Sequence, residues 1–112
     1  MLPPYWKQDS KLLPDPINNY SGYTNIIPKG SYEAVDLKFQ VGESGLVSII
    51  DSPTSLPTHD GLFYIARTGT STWQIDTIAS RQVVLSVIGG QTVIENKGTT
   101  NEQYKWAALH LI

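Results

Sequence analysis

The stretch that decides the fold is Gly61-Leu62-Phe63-Tyr64-Ile65-Ala66-Arg67, together with the segments that follow it. Trp73-Gln74-Ile75-Asp76-Thr77-Ile78 comes after a loop rich in Thr, Ser and Gly. Val83-Val84-Leu85-Ser86-Val87-Ile88 then meets Gly89-Gly90, and Gln91-Thr92-Val93-Ile94 returns directly. Two glycines between short apolar segments predict a β-hairpin, because glycine readily adopts the positive φ values that such turns need.

Segments on either side extend the β pattern. Residues 35–41 alternate apolar and polar side chains, which predicts a half-buried strand, and residues 46–50 are rich in β-branched residues, which predicts another. Residues 51–60 are predicted to form a loop. In residues 102–112 Ala107-Ala108-Leu109 favours a helix, but the surrounding β pattern favours a strand, which we expect here. Short strands separated by turns predict an all-β fold, a small antiparallel β-sandwich or barrel.

The first 30 residues differ from the rest. They contain most of the prolines, which lack an N–H group and fix φ, so they predict neither a helix nor a central strand. Apolar pairs and aromatic residues in the same segment argue against full disorder. We therefore expect residues 1–30 to form an extended, Pro-rich N-terminal arm that packs on its own domain or on a neighbouring chain, and residues 31–112 to form the β domain.

Composition excludes several classes of function. A length of 112 residues allows one domain, and a charged fraction of 16%, against a typical value of about 25%, favours a surface partly buried in an oligomer. No basic run is present, so we expect no nucleic-acid binding. No apolar run is long enough to insert into a membrane, and the N-terminus lacks the pattern of a secretory signal. The absence of cysteine excludes disulfides and thiolate chemistry.

Catalytic and metal-binding motifs are missing from the sequence. His59-Asp60 resembles part of a catalytic pair, but a turn before Gly61 is the better interpretation, and no Gly-x-Ser-x-Gly motif occurs. His110 lies in an apolar segment, where a packed or exposed strand histidine is expected. Two distant histidines without cysteine are a poor basis for a zinc site. We therefore expect no enzymatic activity, no metal and no cofactor.

Aromatic residues are the better candidates for contacts with other molecules, because aromatic faces stack on sugars and anchor protein interfaces. Core filling is the competing interpretation, and we expect it for Trp106. The candidates for ligand binding are Trp73, Tyr64 and Tyr104. The candidates for docking a partner through the arm are Tyr5, Trp6, Leu12 and Leu13.

Residues 31–112 resemble the small β knob domains of phage tail fibres and R-type pyocin fibres. The resemblance is carried by Asp51-Ser52-Pro53 in a loop, Gly61-Leu62-Phe63-Tyr64-Ile65 opening a strand, Trp73-Gln74-Ile75, and Lys105-Trp106-Ala107-Ala108-Leu109 near the end. Such domains are usually trimeric and serve attachment to the host surface or to another tail part. The resemblance thus implies a virion appendage domain.

We expect, on this resemblance, a non-enzymatic bacteriophage virion component of the tail-fibre or receptor-binding type, made in the host cytoplasm and located in the virion. Its expected partners are further copies of itself, with a trimer favoured, other virion proteins, and a host surface glycan or protein. One alternative is a capsid-decorating or tail-adaptor protein that docks through its arm. Another is a carbohydrate-binding module, which predicts a monomer with two or three coplanar exposed aromatics.

Overall fold

The structure, a computed structural model, describes residues 19–52 and 58–111. The strands are β1 (Asn19–Ile27), β2 (Tyr32–Ala34), β3 (Ser44–Ser52), β4 (Asp60–Arg67), β5 (Trp73–Arg81), β6 (Val83–Ile88), β7 (Gln91–Asn96) and β8 (Glu102–His110). The described residues contain no helix that could cross a membrane.

Two antiparallel sheets form the fold. One has five strands in the order β1-β8-β3-β4-β5, and the other has three in the order β2-β7-β6. Their inner faces share one hydrophobic core, to which Val47 and Phe63 contribute from the larger sheet and Leu85 and Ile94 from the smaller. The prediction of an all-β antiparallel fold is confirmed, and the separation into two sheets makes it a sandwich. Gly89 and Gly90 both have positive φ, of 61° and 82°, as the predicted β6–β7 hairpin requires.

Strand β8 lies near the centre of the larger sheet, between β1 and β3. Tyr104, Trp106 and Ala108 point into the core, while Lys105 and Ala107 point outward. This period of two is the strand period, and pairing on both sides outweighs the helix propensity of the alanines. The strand prediction for this segment is therefore confirmed for residues 102–110, as is the prediction that Trp106 fills the core.

The predicted strand at residues 35–41 is wrong, although the alternation gave the correct buried side chains. Leu37 and Phe39 are buried while their neighbours are exposed, yet residues 35–40 belong to neither sheet. Lys38 has a φ of 70°, and its N–H donates to Asp36 Oδ1 at 2.9 Å. This aspartate turn interrupts the extended backbone, so the segment packs its apolar side chains on the core without continuing a sheet.

Part of the segment predicted as an arm lies in the larger sheet. β1 pairs with β8 from Asn19↔Leu109 to Ile27↔Glu102. No proline falls within this strand, and Pro28 follows its last residue, so the proline argument applies to its flanks and not to the strand itself. β1 is an edge strand, in agreement with the expectation that this segment is not a central one. Residues 1–18 lie outside the described residues.

Asn96, at the end of β7, ties the two sheets together. Its side chain is fully buried, and its Nδ2 group donates to the carbonyl oxygens of Ile27 at 2.9 Å and Thr100 at 2.8 Å. Its Oδ1 atom accepts from the Gly98 N–H, and its backbone N–H donates to Ser31 O. One residue of the smaller sheet thus fixes the end of β1 and the β7–β8 loop.

We expect Asn96→Asp to lower the free energy of unfolding by about 2–4 kcal/mol, because a carboxylate oxygen would replace the Nδ2 donor and face two carbonyl oxygens in a buried site. Asn101→Asp is the matched control, since this exposed side chain only accepts a hydrogen bond, from Lys29 N–H, which a carboxylate also does. The control should change stability by less than about 0.5 kcal/mol in urea unfolding. Equal losses in the two variants would contradict the role of Asn96.

Candidate functional site

The outer face of the five-stranded sheet is unusually apolar. On this face Leu46 lies between Leu109 and Tyr64, and Ser48 lies between Ala107 and Leu62. The small side chains of Ser48 and Ala107 leave a groove of about 320 Å³ between the larger ones. We call this surface the outer sheet face, and its residues are Leu46, Ser48, Ile50, Leu62, Tyr64, Ala107 and Leu109.

Two further features extend this groove. A second depression of about 240 Å³, lined by Ile50 and Ala79 among others, shares Ser48 and Leu62 with it. At the opposite end, Asn19 lines the rim of the groove, and this is the residue at which the chain before β1 joins the sheet. Ile50 and Leu62 are 37% and 38% exposed, so the face presents contiguous apolar side chains to its surroundings. Such a patch is typical of an interaction surface.

A second concave surface lies between the two sheets beside Trp73, and we call it the Trp73 cleft. It has a volume of about 460 Å³, and its walls include Asp36, Arg67, Trp73 and Gln91. The indole Nε1–H of Trp73 donates to the carbonyl oxygen of Gly90 at 3.1 Å. Because Gly90 lies in the hairpin of the smaller sheet, this bond joins the two sheets at the cleft.

Arg67 is held rigidly over the Trp73 ring. Its guanidinium carbon lies 5.0 Å from the ring centroid, a cation–π distance. The same guanidinium donates to the carbonyl oxygens of Phe39 at 2.7 Å, Thr70 at 2.7 Å and Gly69 at 3.2 Å. These bonds fix the position of the charge, so Arg67 stiffens the wall of the cleft.

The acidic side of the Trp73 cleft is Asp36. A hydrogen bond from the backbone N–H of Lys38 lowers the pKa of Asp36 below its ordinary value, and desolvation opposes this effect. The ammonium group of Lys38, 3.4 Å from Asp36 Oδ2, lowers the pKa further. The carboxylate is thus ionised at neutral pH. The cleft combines an aromatic ring, a fixed cation and an ionised carboxylate, a set suited to hydrogen-bonding a polar ligand such as a sugar.

The structure separates the three predicted ligand-binding residues. Trp73 is half-buried at the cleft, whereas Tyr64 is half-buried on the outer sheet face. Tyr104 is fully buried in the core, because its position in β8 points inward, and it is therefore unavailable to a surface ligand. Burial, with smaller contributions from Glu102 and Asp51, raises the pKa of the Tyr104 hydroxyl. The predicted docking residues Tyr5, Trp6, Leu12 and Leu13 lie outside the described residues.

A buried polar cluster was not foreseen from the sequence. His59 is only 3% exposed, and its Nδ1 lies 3.6 Å from Oδ2 of Asp51, which is 1% exposed. Thr58 Oγ1 lies 3.0 Å from both of these atoms. In a catalytic triad the hydroxyl and the carboxylate contact opposite imidazole nitrogens. Here both face Nδ1, so the imidazole cannot pass a proton from the hydroxyl through its other nitrogen.

His110, the other histidine, is also buried, within strand β8 as a packed residue. Its Nε2 lies 2.8 Å from the Leu37 carbonyl oxygen, and its ring stacks on Phe39 at 3.8 Å between centroids. Its Nδ1 lies 3.6 Å from Glu43 Oε1. These contacts attach the irregular segment before β3 to the larger sheet, which is a structural role.

Comparison with known proteins gives one informative similarity. The sequence matches no protein-family model and no curated protein. The fold is similar to part of the crystal structure of the tailspike protein of Acinetobacter phage vB_ApiP_P1, with a TM-score of 0.54 and 13% sequence identity. The match covers 82% of this chain and 21% of that chain, so this chain spans about a fifth of the tailspike's length. The class of protein that these observations define is a β-sandwich domain with a fold that also occurs in a phage tailspike.

We expect Trp73→Ala to lower the free energy of unfolding by about 2 kcal/mol, because it removes a half-buried ring and the bond to Gly90. Trp73→Phe keeps most of the ring and should cost about 1 kcal/mol. Gln74→Ala, at the adjacent exposed position, is the control and should change stability by less than about 0.5 kcal/mol. Chemical unfolding measures all three, and an unchanged midpoint for Trp73→Ala would show that the ring does not join the sheets.

Proposed function

We propose that this chain is a non-enzymatic structural β domain of a bacteriophage tail, located in the virion, that serves tail assembly and attachment to the host. The fold shared with a phage tailspike supports the tail assignment. The observation that carries the assembly role is the apolar, grooved outer sheet face, which a domain acting alone in water would leave exposed.

The proposed occupant of the outer sheet face is the N-terminal segment of a neighbouring copy, in a homo-oligomer for which we favour a trimer. The first 18 residues join the sheet at Asn19, on the rim of the groove. They contain Tyr5, Trp6, Leu12 and Leu13, bulky side chains of the kind that a groove between Leu46 and Leu62 accommodates. The same arm offers a connection to other virion proteins.

The non-enzymatic part of the proposal rests on the chemistry of the described side chains. The arrangement nearest to a catalytic centre is Thr58, His59 and Asp51, and both partners of the imidazole lie on Nδ1. The Trp73 cleft contributes a ring, a fixed guanidinium and one carboxylate, whereas glycoside hydrolysis commonly uses two facing carboxyl groups.

Contact with a host surface glycan is the second function we propose, at the Trp73 cleft. Its polar walls and aromatic ring favour a sugar over an apolar ligand. The free-standing carbohydrate-binding module is less well supported, because the exposed Tyr20 and Tyr23 point to opposite faces of β1 and the exposed Tyr32 belongs to the other sheet. Two aromatic side chains line the cleft, Phe39 and Trp73, but Phe39 is buried, so the described residues present one accessible ring there and not a coplanar set.

Light scattering after size-exclusion chromatography tests the assembly. We expect the full chain to be a trimer and Leu62→Lys to be a folded monomer, because an ammonium group in the groove would have to be desolvated on assembly. Ile88→Lys is the matched control, since Ile88 is 40% exposed against 38% for Leu62 but lies on the smaller sheet. It should keep the wild-type mass.

Trp6→Ala identifies the occupant of the groove. If the N-terminal segment fills it, this variant should lose the trimer as Leu62→Lys does. A trimer that survives Trp6→Ala but not Leu62→Lys would show that another surface of the neighbouring copy covers the face. A monomeric wild type, or a Leu62→Lys variant with unchanged mass, would refute the assembly role.

Binding to an array of bacterial surface glycans tests the cleft. We expect wild-type binding, with loss of at least about tenfold in affinity for Asp36→Asn and Gln91→Ala, since each removes a polar group from the cleft wall. Gln74→Ala, outside the cleft, should bind as the wild type does. These variants are preferable to Trp73→Ala because Trp73 joins the sheets. Absence of wild-type binding, or equal binding by all variants, would contradict a glycan site here.

A further inference from the structure

The buried polar cluster is built by three neighbouring backbone segments. Asp51, near the end of β3, is the direct cross-strand partner of Tyr104 in β8. On its other side, the Asp51 N–H donates to the His59 carbonyl oxygen at 2.9 Å, just before β4 begins. Glu102 lies two residues before Tyr104 and therefore on the same face of β8. Asp51, His59, Glu102 and Tyr104 thus form a group of four side chains at one end of the larger sheet.

The distances within this group fit a metal ion better than a direct ion pair. One imidazole nitrogen of His59 and one carboxylate oxygen each of Asp51 and Glu102 lie within 4.8 Å of one another. Tetrahedral Zn²⁺ with bonds of about 2.0–2.1 Å places neighbouring ligand atoms about 3.4 Å apart. The 3.6 Å between His59 Nδ1 and Asp51 Oδ2 is close to that value, and Thr58 Oγ1, which lies 3.0 Å from both atoms, faces the same gap.

One buried polar atom beside the carboxylates points independently to a ligand. The Tyr104 hydroxyl has no hydrogen-bond partner among the described residues, although Tyr104 is fully buried. Buried polar groups are nearly always paired with protein or with a bound species. The rings of Tyr104 and His59 lie 6.1 Å apart, and both carboxylates act electrostatically on the Tyr104 hydroxyl.

We propose that Asp51, His59 and Glu102 bind a divalent transition-metal ion, with Zn²⁺ the best fit, and that the Tyr104 hydroxyl completes or adjoins the ligand shell. An imidazole with two carboxylates is a mixed nitrogen and oxygen set, which suits Zn²⁺ and disfavours Ca²⁺ and Mg²⁺. The charge of the ion balances the two carboxylates. Thr100 Oγ1 donates to Glu102 Oε2 at 2.6 Å and orients that carboxylate.

The bound ion would have a structural role, because its ligands come from three different segments of the larger sheet. It would link the end of β3, the start of β8 and the residues before β4. Gly98 makes room for this arrangement, since a Cβ atom at that position would lie 2.1 Å from His59 Nε2. The β7–β8 loop thus covers the cluster and shields it from solvent.

Calorimetric titration of the tag-free, chelator-treated 112-residue chain with Zn²⁺ tests the site. We expect one ion per chain and a rise in Tm of roughly 10 °C at a free Zn²⁺ concentration about 100 times Kd, reversed by a chelator. Ca²⁺ and Mg²⁺ should give no comparable shift. Failure to bind one Zn²⁺ per chain, or an unchanged Tm at saturation, would overturn the proposal.

Glu102→Gln and Glu43→Gln form a matched pair of variants. Glu43 faces His110 at the same 3.6 Å that separates Asp51 from His59, and Glu43 and Glu102 are each partly exposed. Glu102→Gln should weaken Zn²⁺ binding by more than about tenfold, because loss of even an outer-shell partner costs about 10–100-fold. Glu43→Gln should bind as the wild type does. Equal binding by wild type and Glu102→Gln, or equal losses in both variants, would refute the assignment.

Imidazole NMR of the wild-type protein provides a measurement that does not depend on the folding of a variant. The chain has two histidines, so each ring gives a separable signal. Zn²⁺ should shift the His59 resonances in proportion to the bound fraction and leave those of His110 in place. Shifts confined to His110, or shared by both rings, would place the ion elsewhere.

Discussion

The carboxamide of Asn96 is the constraint on which the sandwich depends. The two sheets are separate hydrogen-bonded ladders, and the packing of their shared core is not directional. Asn96 adds direction to that packing, because its Nδ2 group donates to two carbonyl oxygens, of Ile27 and Thr100. A carboxamide has two N–H donors and a carbonyl acceptor. An aspartate carboxylate has no donor, and a leucine of similar size has neither donor nor acceptor. The end of β1 and the β7–β8 loop are positioned as a result.

Trp73 supplies the corresponding link at the other end of β7. Its indole N–H reaches Gly90, immediately before β7, while Asn96 is the last residue of that strand. In both places a side chain of one layer bonds to backbone carbonyl groups of the other, so directional bonds add to the non-directional packing of the core. These links involve inner-face groups, so the outer sheet face takes no part in them.

The sequence predicted most of the strands because they follow a period of two and are bounded by glycine-rich turns. Residues 35–41 had the same period but not the same structure, since a positive φ at Lys38 breaks the sheet while the buried side chains remain buried. The cluster of Asp51 and His59 could not be predicted for a different reason. These two residues meet only because of the pairing of β3 with the residues just before β4, and the sequence does not specify that register. The apolar character of the outer sheet face is visible in the sequence of β3. Residues 46–50 have apolar side chains on both faces of the strand, with Leu46 and Ile50 on one face and Val47 and Ile49 on the other.

The shape of the outer sheet face bears on the assembly that we propose. Two flat sheets that pack on each other interdigitate many side chains over a broad area, and a stable interface needs about 800 Å² per partner. Here the small Ser48 and Ala107 lie between the larger Leu46, Leu62 and Leu109, so the surface is a groove and not a plane. A groove is filled most completely by a narrow segment that carries a few bulky side chains. In the assembly that we propose, residues 1–18 supply such side chains, among them Trp6 and Leu12-Leu13.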